Sequence, residues 1–194
     1  LWRALTQWLG GLGILVLFVA LLSSLGVGSK ALFHHESTAR TGAGSVQERI
    51  QDLAMRLWQI YFGLSAVCIL GLILLGMSPF ESVCHALATL STGGFSPRNE
   101  SIAAYHSLPI ELWIGLFMLL GGASFLLYAW LLEGRWERWK MEEETKVYLA
   151  IVAIAVAVIA VDLWIVEGHH SAGSASREAF FQVASILTTT GFTT

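Results

Sequence analysis

Charge is what this sequence most conspicuously lacks: 13% of its 194 residues are Asp, Glu, Lys or Arg, against 55% hydrophobic. Soluble domains carry about 25% charged residues, so this composition argues for a bilayer rather than water as the surrounding solvent. There is no block of basic residues and the net charge is −3, which excludes nucleic acid as a partner. Cysteine is scarce too, with Cys68 in an apolar stretch and Cys84 in a shorter one. Both read as small buried hydrophobes, not as a disulfide or metal ligands. No secretory signal is visible, and the chain opens on Leu1-Trp2-Arg3 without an initiator Met. A fragment whose N-terminus lies upstream is the expectation. Catalytic machinery is also lacking: no nucleophile–base set and no H-E-x-x-H spacing are found, so an enzyme is not expected. The adjacent pairs His34-His35 and His169-His170 have no Cys or carboxylate pattern to complete a zinc site.

Long apolar runs fill the space that charge leaves, and the mean hydropathy is +0.66. Four runs reach the roughly 20 residues needed to cross a hydrocarbon core: Leu5–Leu25, Leu57–Gly76, Leu112–Leu132 and Val147–Val166. Lys30, Arg40, Arg49 and Arg56 lie between the first two, and Arg135, Arg138, Lys140 and Lys146 between the last two. The remaining connections hold only Arg98 and Arg177, a bias that assigns residues 26–56 and 133–146 to the cytoplasm.

The two other connections are too apolar for ordinary loops. Pro79–Ser91 and Arg177–Thr188 each suit about 12 residues of helix, some 18 Å, or half a bilayer. Ser78-Pro79-Phe80-Glu81 starts the first with a capping box and a proline at the first helical position. Each half-helix ends in a Gly-containing, Thr-rich turn, STGGFS or TTTGFTT. The pair matches at a fixed offset of 97 residues, aligning Glu81 with Glu178, Thr92 with Thr189, Gly94 with Gly191 and Phe95 with Phe192. The spans repeat at 111 residues, Leu9-Gly10-Gly11 recurring as Leu120-Gly121-Gly122.

The expected architecture is therefore an all-α integral membrane protein of tandem helix–pore loop–helix repeats, truncated at both ends. Residues 1–25 form the inner helix of one repeat and 26–56 a cytoplasmic linker. Residues 57–132 form a complete repeat, 133–146 a second linker, and 147–194 the outer helix and pore loop of the next. A half-helix ending at membrane depth turns its carbonyls toward a site suited to cations. Gly94 and Gly191 supply the φ > 0 freedom such a turn needs. Hydroxyls at 92, 96, 189, 190 and 193 add oxygen, and neither loop holds a carboxylate before its Phe, which disfavours a calcium-type ring.

Other residues have a plain reading beside a sharper one. Gly10, Gly11, Gly13, Gly121 and Gly122 suit close helix packing, or make room for the filter loop behind them. Asp162 reads as interfacial rather than a relay, Arg3 as snorkelling or paired rather than facing a permeation path. Asn99-Glu100-Ser101 fits a glycosylation pattern weakly.

HALATLSTGGFSPRN (85–99), ASILTTTGFTT (184–194), WRALTQWLGGLGILVL (2–17) and MLLGGASFLLYAWLLEGRW (118–136) resemble the Trk/Ktr/HKT superfamily of potassium transporters. Within it, the bacterial Trk-type potassium uptake membrane subunit is the nearest pattern. The resemblance implies four pore-loop units around one pathway, with potassium as the transported ligand and no covalent cofactor. It implies a selectivity filter at Thr92, Gly93, Gly94, Phe95, Thr189, Thr190, Gly191 and Phe192. It further implies a homodimer in membrane lipid, a cytosolic NAD-binding regulatory subunit and a multi-pass inner-membrane location. A sodium-permeable relative is the alternative within this class, and a non-transporting membrane scaffold or enzyme the alternative outside it.

Overall fold

A computed structural model describes residues 1–11, 43–132, 134, 143–165 and 171–194, with the side chains of 43–53, 126 and 129 excepted. The paired histidines, Gly13, Lys30, Arg40, Arg135, Arg138 and Lys140 fall outside the described residues. What is described is all helix and turn. Helix α1 covers 2–11, α2 Ala43–Leu74 and α3 Pro79–Leu90; a short 3-10 helix covers Ser101–Tyr105. Then come α4 (Leu108–Gly122), α5 (Phe125–Leu132), α6 (Glu143–Ile165) and α7 (Ala172–Leu187).

The expected half-helices are α3 and α7. Helix α2 stops where Gly76, at φ +94°, takes the left-handed conformation that lets Met77 N–H reach Leu72 O at 3.0 Å. Two residues later Ser78 caps α3, its Oγ accepting from Glu81 N–H at 3.4 Å. The chain thus reverses within four residues. Helix α7 begins at Ala172 rather than at the expected Arg177, because Ser171 caps it by accepting from Ser174 N–H at 3.1 Å. Small polar residues there gave no apolar periodicity to read.

Two spans differ from expectation. Helix α2 begins at Ala43, so part of the expected linker 26–56 continues the span; residues 54–74 have the length and apolarity to cross a membrane. The run Leu112–Leu132 is broken. Helix α4 ends at Gly122, Ala123 is extended at ψ 161°, and α5 restarts at Phe125. Ala123 N–H turns to Leu120 O at 3.4 Å, and the carbonyls freed by the break are taken by tyrosines. Tyr128 donates to Leu120 O at 2.7 Å and Tyr148, from α6, to Leu119 O at 3.3 Å.

Helix α2 packs on α3, α4 and α5, α6 on α7, and α4 joins the two groups through α3 and α7. The core formed between them includes Leu72, Ile102, Ile114, Met118, Phe181 and Phe192. Cys68 and Cys84 are free and buried in it or beside it. Helix α6 exposes Val147, Ile151, Ile154, Val158 and Val161, and Asp162 is exposed on it as well.

Candidate selectivity-filter site

The two loops after α3 and α7 are built on the same backbone turn. Ser91 and Thr188 end their helices at φ −84° with ψ 2° and 1°. Thr92 and Thr189 follow at φ +50° and +57°, then Gly94 and Gly191 at +63° and +86°. In the first loop the amides of Gly93 and Gly94 converge on Ala88 O at 2.8 and 3.4 Å. In the second, those of Thr190 and Gly191 converge on Ser185 O at 2.9 and 3.3 Å. The glycines take the left-handed conformation that was expected of them. The two threonines share it, although a Cβ makes that region costly, about 1–2 kcal/mol per residue. Such strain persists only where surroundings enforce it, and here the same amide pair enforces it twice.

Each loop is braced from its own half-helix. His85 is fully buried, with Nδ1 against Glu81 O at 2.8 Å and Nε2 against Ser96 Oγ at 3.0 Å. Gln182, 97 residues on, reaches Thr194 Oγ1 at 3.4 Å. Ser185 Oγ donates to Phe192 O at 2.7 Å. Thr193 O accepts from the amides of Ile102 and Ala103 at 3.1 and 3.3 Å, which ties the second loop to the first repeat's 3-10 helix. Among the described residues no hydrogen-bond donor reaches the carbonyls of Thr92, Gly93, Gly94, Thr189, Thr190 or Gly191. The next two carbonyls of the second loop are occupied, that of Phe192 by Ser185 Oγ and that of Thr193 by the amides of Ile102 and Ala103. Phe192, expected at the site, is buried with its ring 5.8 Å from His85 and its carbonyl occupied, so it supports the loop. Phe95 lies under Arg3, whose guanidinium carbon is 4.4 Å from the ring centroid, a cation–π contact.

Glycines bring the helices onto these loops. A Cβ on Gly93 would stand 2.5 Å from Gln7 Cγ, so α1 packs directly on the first loop. A Cβ on Gly11 would meet Ser91 Cβ at 3.4 Å, and one on Gly122 would meet Thr188 Cγ2 at 2.9 Å. Gly121 lies against Leu90 O, with 3.3 Å to its would-be Cβ. Of the small residues expected to make room for the filter, Gly11, Gly121 and Gly122 do so; Gly10 meets nothing within 4 Å. A tyrosine accompanies each interface. Tyr61 donates to Trp8 O at 3.3 Å just as Tyr148 does to Leu119 O, and Trp8 and Leu119 are 111 residues apart. The helix repeat and the loop repeat thus meet in one interface that occurs twice.

Two ion pairs flank the loops. Arg98 Nε donates to Glu81 Oε1 at 2.6 Å within the first repeat. That hydrogen bond holds the Glu81 carboxyl below its ordinary range, with Ser78 Oγ donating to its other oxygen at 2.9 Å. In the second, Arg177 Nε and Nη2 donate to Glu111 Oε2 and Oε1, at 2.7 and 2.8 Å, across the boundary between repeats. Sequence reasoning missed His85, Gln182, Ser185 and the Glu111–Arg177 pair. The 97-residue offset that aligns His85 with Gln182 was the available signal for those two.

Paired half-helices ending in Gly-Phe turns, packed among long apolar helices, define a helical membrane protein of the pore-loop class. The chain belongs to the TrkH family of cation transport proteins, which matches residues 1–194. It is 36% identical over its whole length to the Trk system potassium uptake protein TrkH of Escherichia coli K12, covering 40% of that protein. It is also 36% identical to the Trk system potassium uptake protein TrkI of Halomonas elongata, over 99% of this chain and 38% of that one. The crystal structure of the potassium transporter TrkH from Vibrio parahaemolyticus superposes with a TM-score of 0.80 at 32% identity, over 98% of this chain and 38% of that one. The chain thus spans about two fifths of the length of these relatives.

Proposed function

We propose that the protein containing this chain takes up potassium through a membrane pathway, and that Thr92–Gly94 and Thr189–Gly191 contribute two of its filter segments. The observation that carries the reading is the matched pair of loops. Each leaves a run of backbone carbonyls without a donor among the described residues, at the C-terminal end of a half-helix. Carbonyl oxygens replace the hydration shell of a potassium ion without a full charge to trap it, and the half-helix C-termini add partial negative charge. The side chains contribute by holding the carbonyls still. Thr188 Oγ1 and Thr190 Oγ1 lie 2.7 Å apart, Ser185 holds Phe192 O, and His85 holds Ser96. The unequal residues Gly93 and Thr190 make the pathway less than fourfold symmetric.

The membrane is a bacterial inner membrane in this reading, crossed several times. The protein works as a homodimer and answers to a cytosolic NAD-binding subunit. The names of the relatives support transport rather than catalysis. Rubidium uptake by the intact parent protein in potassium-deficient cells tests the assignment. Uptake that potassium competes away is expected; sodium flux without rubidium uptake would move the protein to the sodium-permeable class.

A further inference from the structure

Helices α4 and α7 run side by side in the same direction, and three contacts fix their register. At their N-terminal ends Arg177 holds Glu111 bidentately. Midway, a Cβ on Gly115 would stand 2.6 Å from Phe180 Cε1, so the ring sits in a notch on α4. At their C-terminal ends Gly122 takes Thr188, the residue that opens the second filter turn. The middle and last contacts are steric and non-directional. The first is a planar fork on a carboxylate, which fixes distance and angle together. Glu111 is 4% exposed as a side chain, so it has little freedom to follow a displaced partner.

The second loop touches the first through backbone. Gly94 lies directly against the Thr190 carbonyl; beyond the loop itself, Thr193 N–H donates to Ser101 Oγ of the 3-10 helix at 3.3 Å. A slide or rotation of α7 therefore changes the spacing between the carbonyls of 92–94 and those of 189–191. Among the described residues the first half-helix has no equivalent of this fork. Its acid, Glu81, pairs with Arg98 of its own repeat, whereas Arg177 stands where the first repeat has Phe80 and reaches into the neighbouring repeat.

We propose that Glu111 and Arg177 form an inter-repeat positioning clamp that sets the second filter loop against the first and thereby sharpens discrimination between potassium and sodium. The inference rests on the potassium-pathway reading above. Neither residue contacts the ion; both act through the register of α7. Loss of the fork should show as altered selectivity and not merely as less protein.

The test uses the full-length parent protein in potassium-deficient cells, with rubidium and sodium uptake each divided by the amount of transporter in the membrane. Arg177→Lys keeps the charge at a side chain that is 41% exposed and removes only the fork. It should lower the rubidium-to-sodium ratio by roughly three- to tenfold, as small misplacements of a preorganised site do. Glu111→Gln should do the same, and Glu111→Arg combined with Arg177→Glu should recover part of the ratio. An Arg177→Lys protein with the wild-type ratio would overturn the clamp, whatever its total flux. Wild-type protein that moves sodium but no rubidium would overturn the potassium reading instead, so the two failures are separable.

Discussion

Gly94 stands against the carbonyl of Thr190 so closely that no side chain fits between the two loops. The contact joins corresponding parts of successive repeats. Gly94 needs both its left-handed φ and its bare Cα.

Gly94 should therefore tolerate no side chain. Any side chain at that φ carries left-handed strain on the order of 1–2 kcal/mol. Gly94→Ala carries that strain and must also push the second loop away. We expect Gly94→Ala, and Gly94→Ser with it, to reduce rubidium-over-sodium selectivity. Uptake ratios in the parent protein check this, and unchanged ratios would count against the contact.

His85 should be replaceable by one residue in particular. Its ring bridges a helix carbonyl and Ser96, and the matching position of the next repeat uses Gln182 to reach Thr194. His85→Ala removes both bonds and leaves a buried void, for a loss of about 2–4 kcal/mol. His85→Gln should recover part of the loss. Thermal unfolding of the detergent-solubilised parent would rank the three proteins.

Tyr128 holds the break between α4 and α5. Tyr128→Phe strips the donor from Leu120 O and should destabilise by about 1–3 kcal/mol. Phe at position 148 should cost less, because the bond from Tyr148 to Leu119 O is longer, 3.3 against 2.7 Å. Melting temperatures of the two variants read this directly.

Acid should loosen the first loop. Glu81 is depressed in the folded protein by Arg98, so the pair stabilises above the ordinary carboxylate range. That contribution is lost as pH falls through the lowered value, from about pH 4.3 downward. Arg98→Ala should flatten this part of the stability–pH profile. Because Arg98 is 55% exposed, the effect is modest and salt-sensitive.

Much of this was legible because the chain repeats itself. The 97-residue offset aligned the loops, and the bonds to Ala88 O and Ser185 O give that alignment a physical form. Ser78 and Glu81 announced the start of α3 through side-chain chemistry that acts locally. The break at Ala123 falls directly after Gly121-Gly122, weak helix formers that also read as close-packing residues inside one apolar run, and the tyrosines that satisfy it lie farther along the chain. Glu111 and Arg177 are 66 residues apart, and each taken alone is an ordinary charge at a helix start. Left-handed threonines at 92 and 189 could not be read either, since the amide convergence that enforces them is a property of the folded turn.

Rubidium located crystallographically tests the central claim most directly. Crystals of the intact parent protein grown in rubidium should give anomalous peaks between the carbonyls of Thr92–Gly94 and those of Thr189–Gly191. Peaks confined to other parts of the molecule, with both loops bare, would contradict the account.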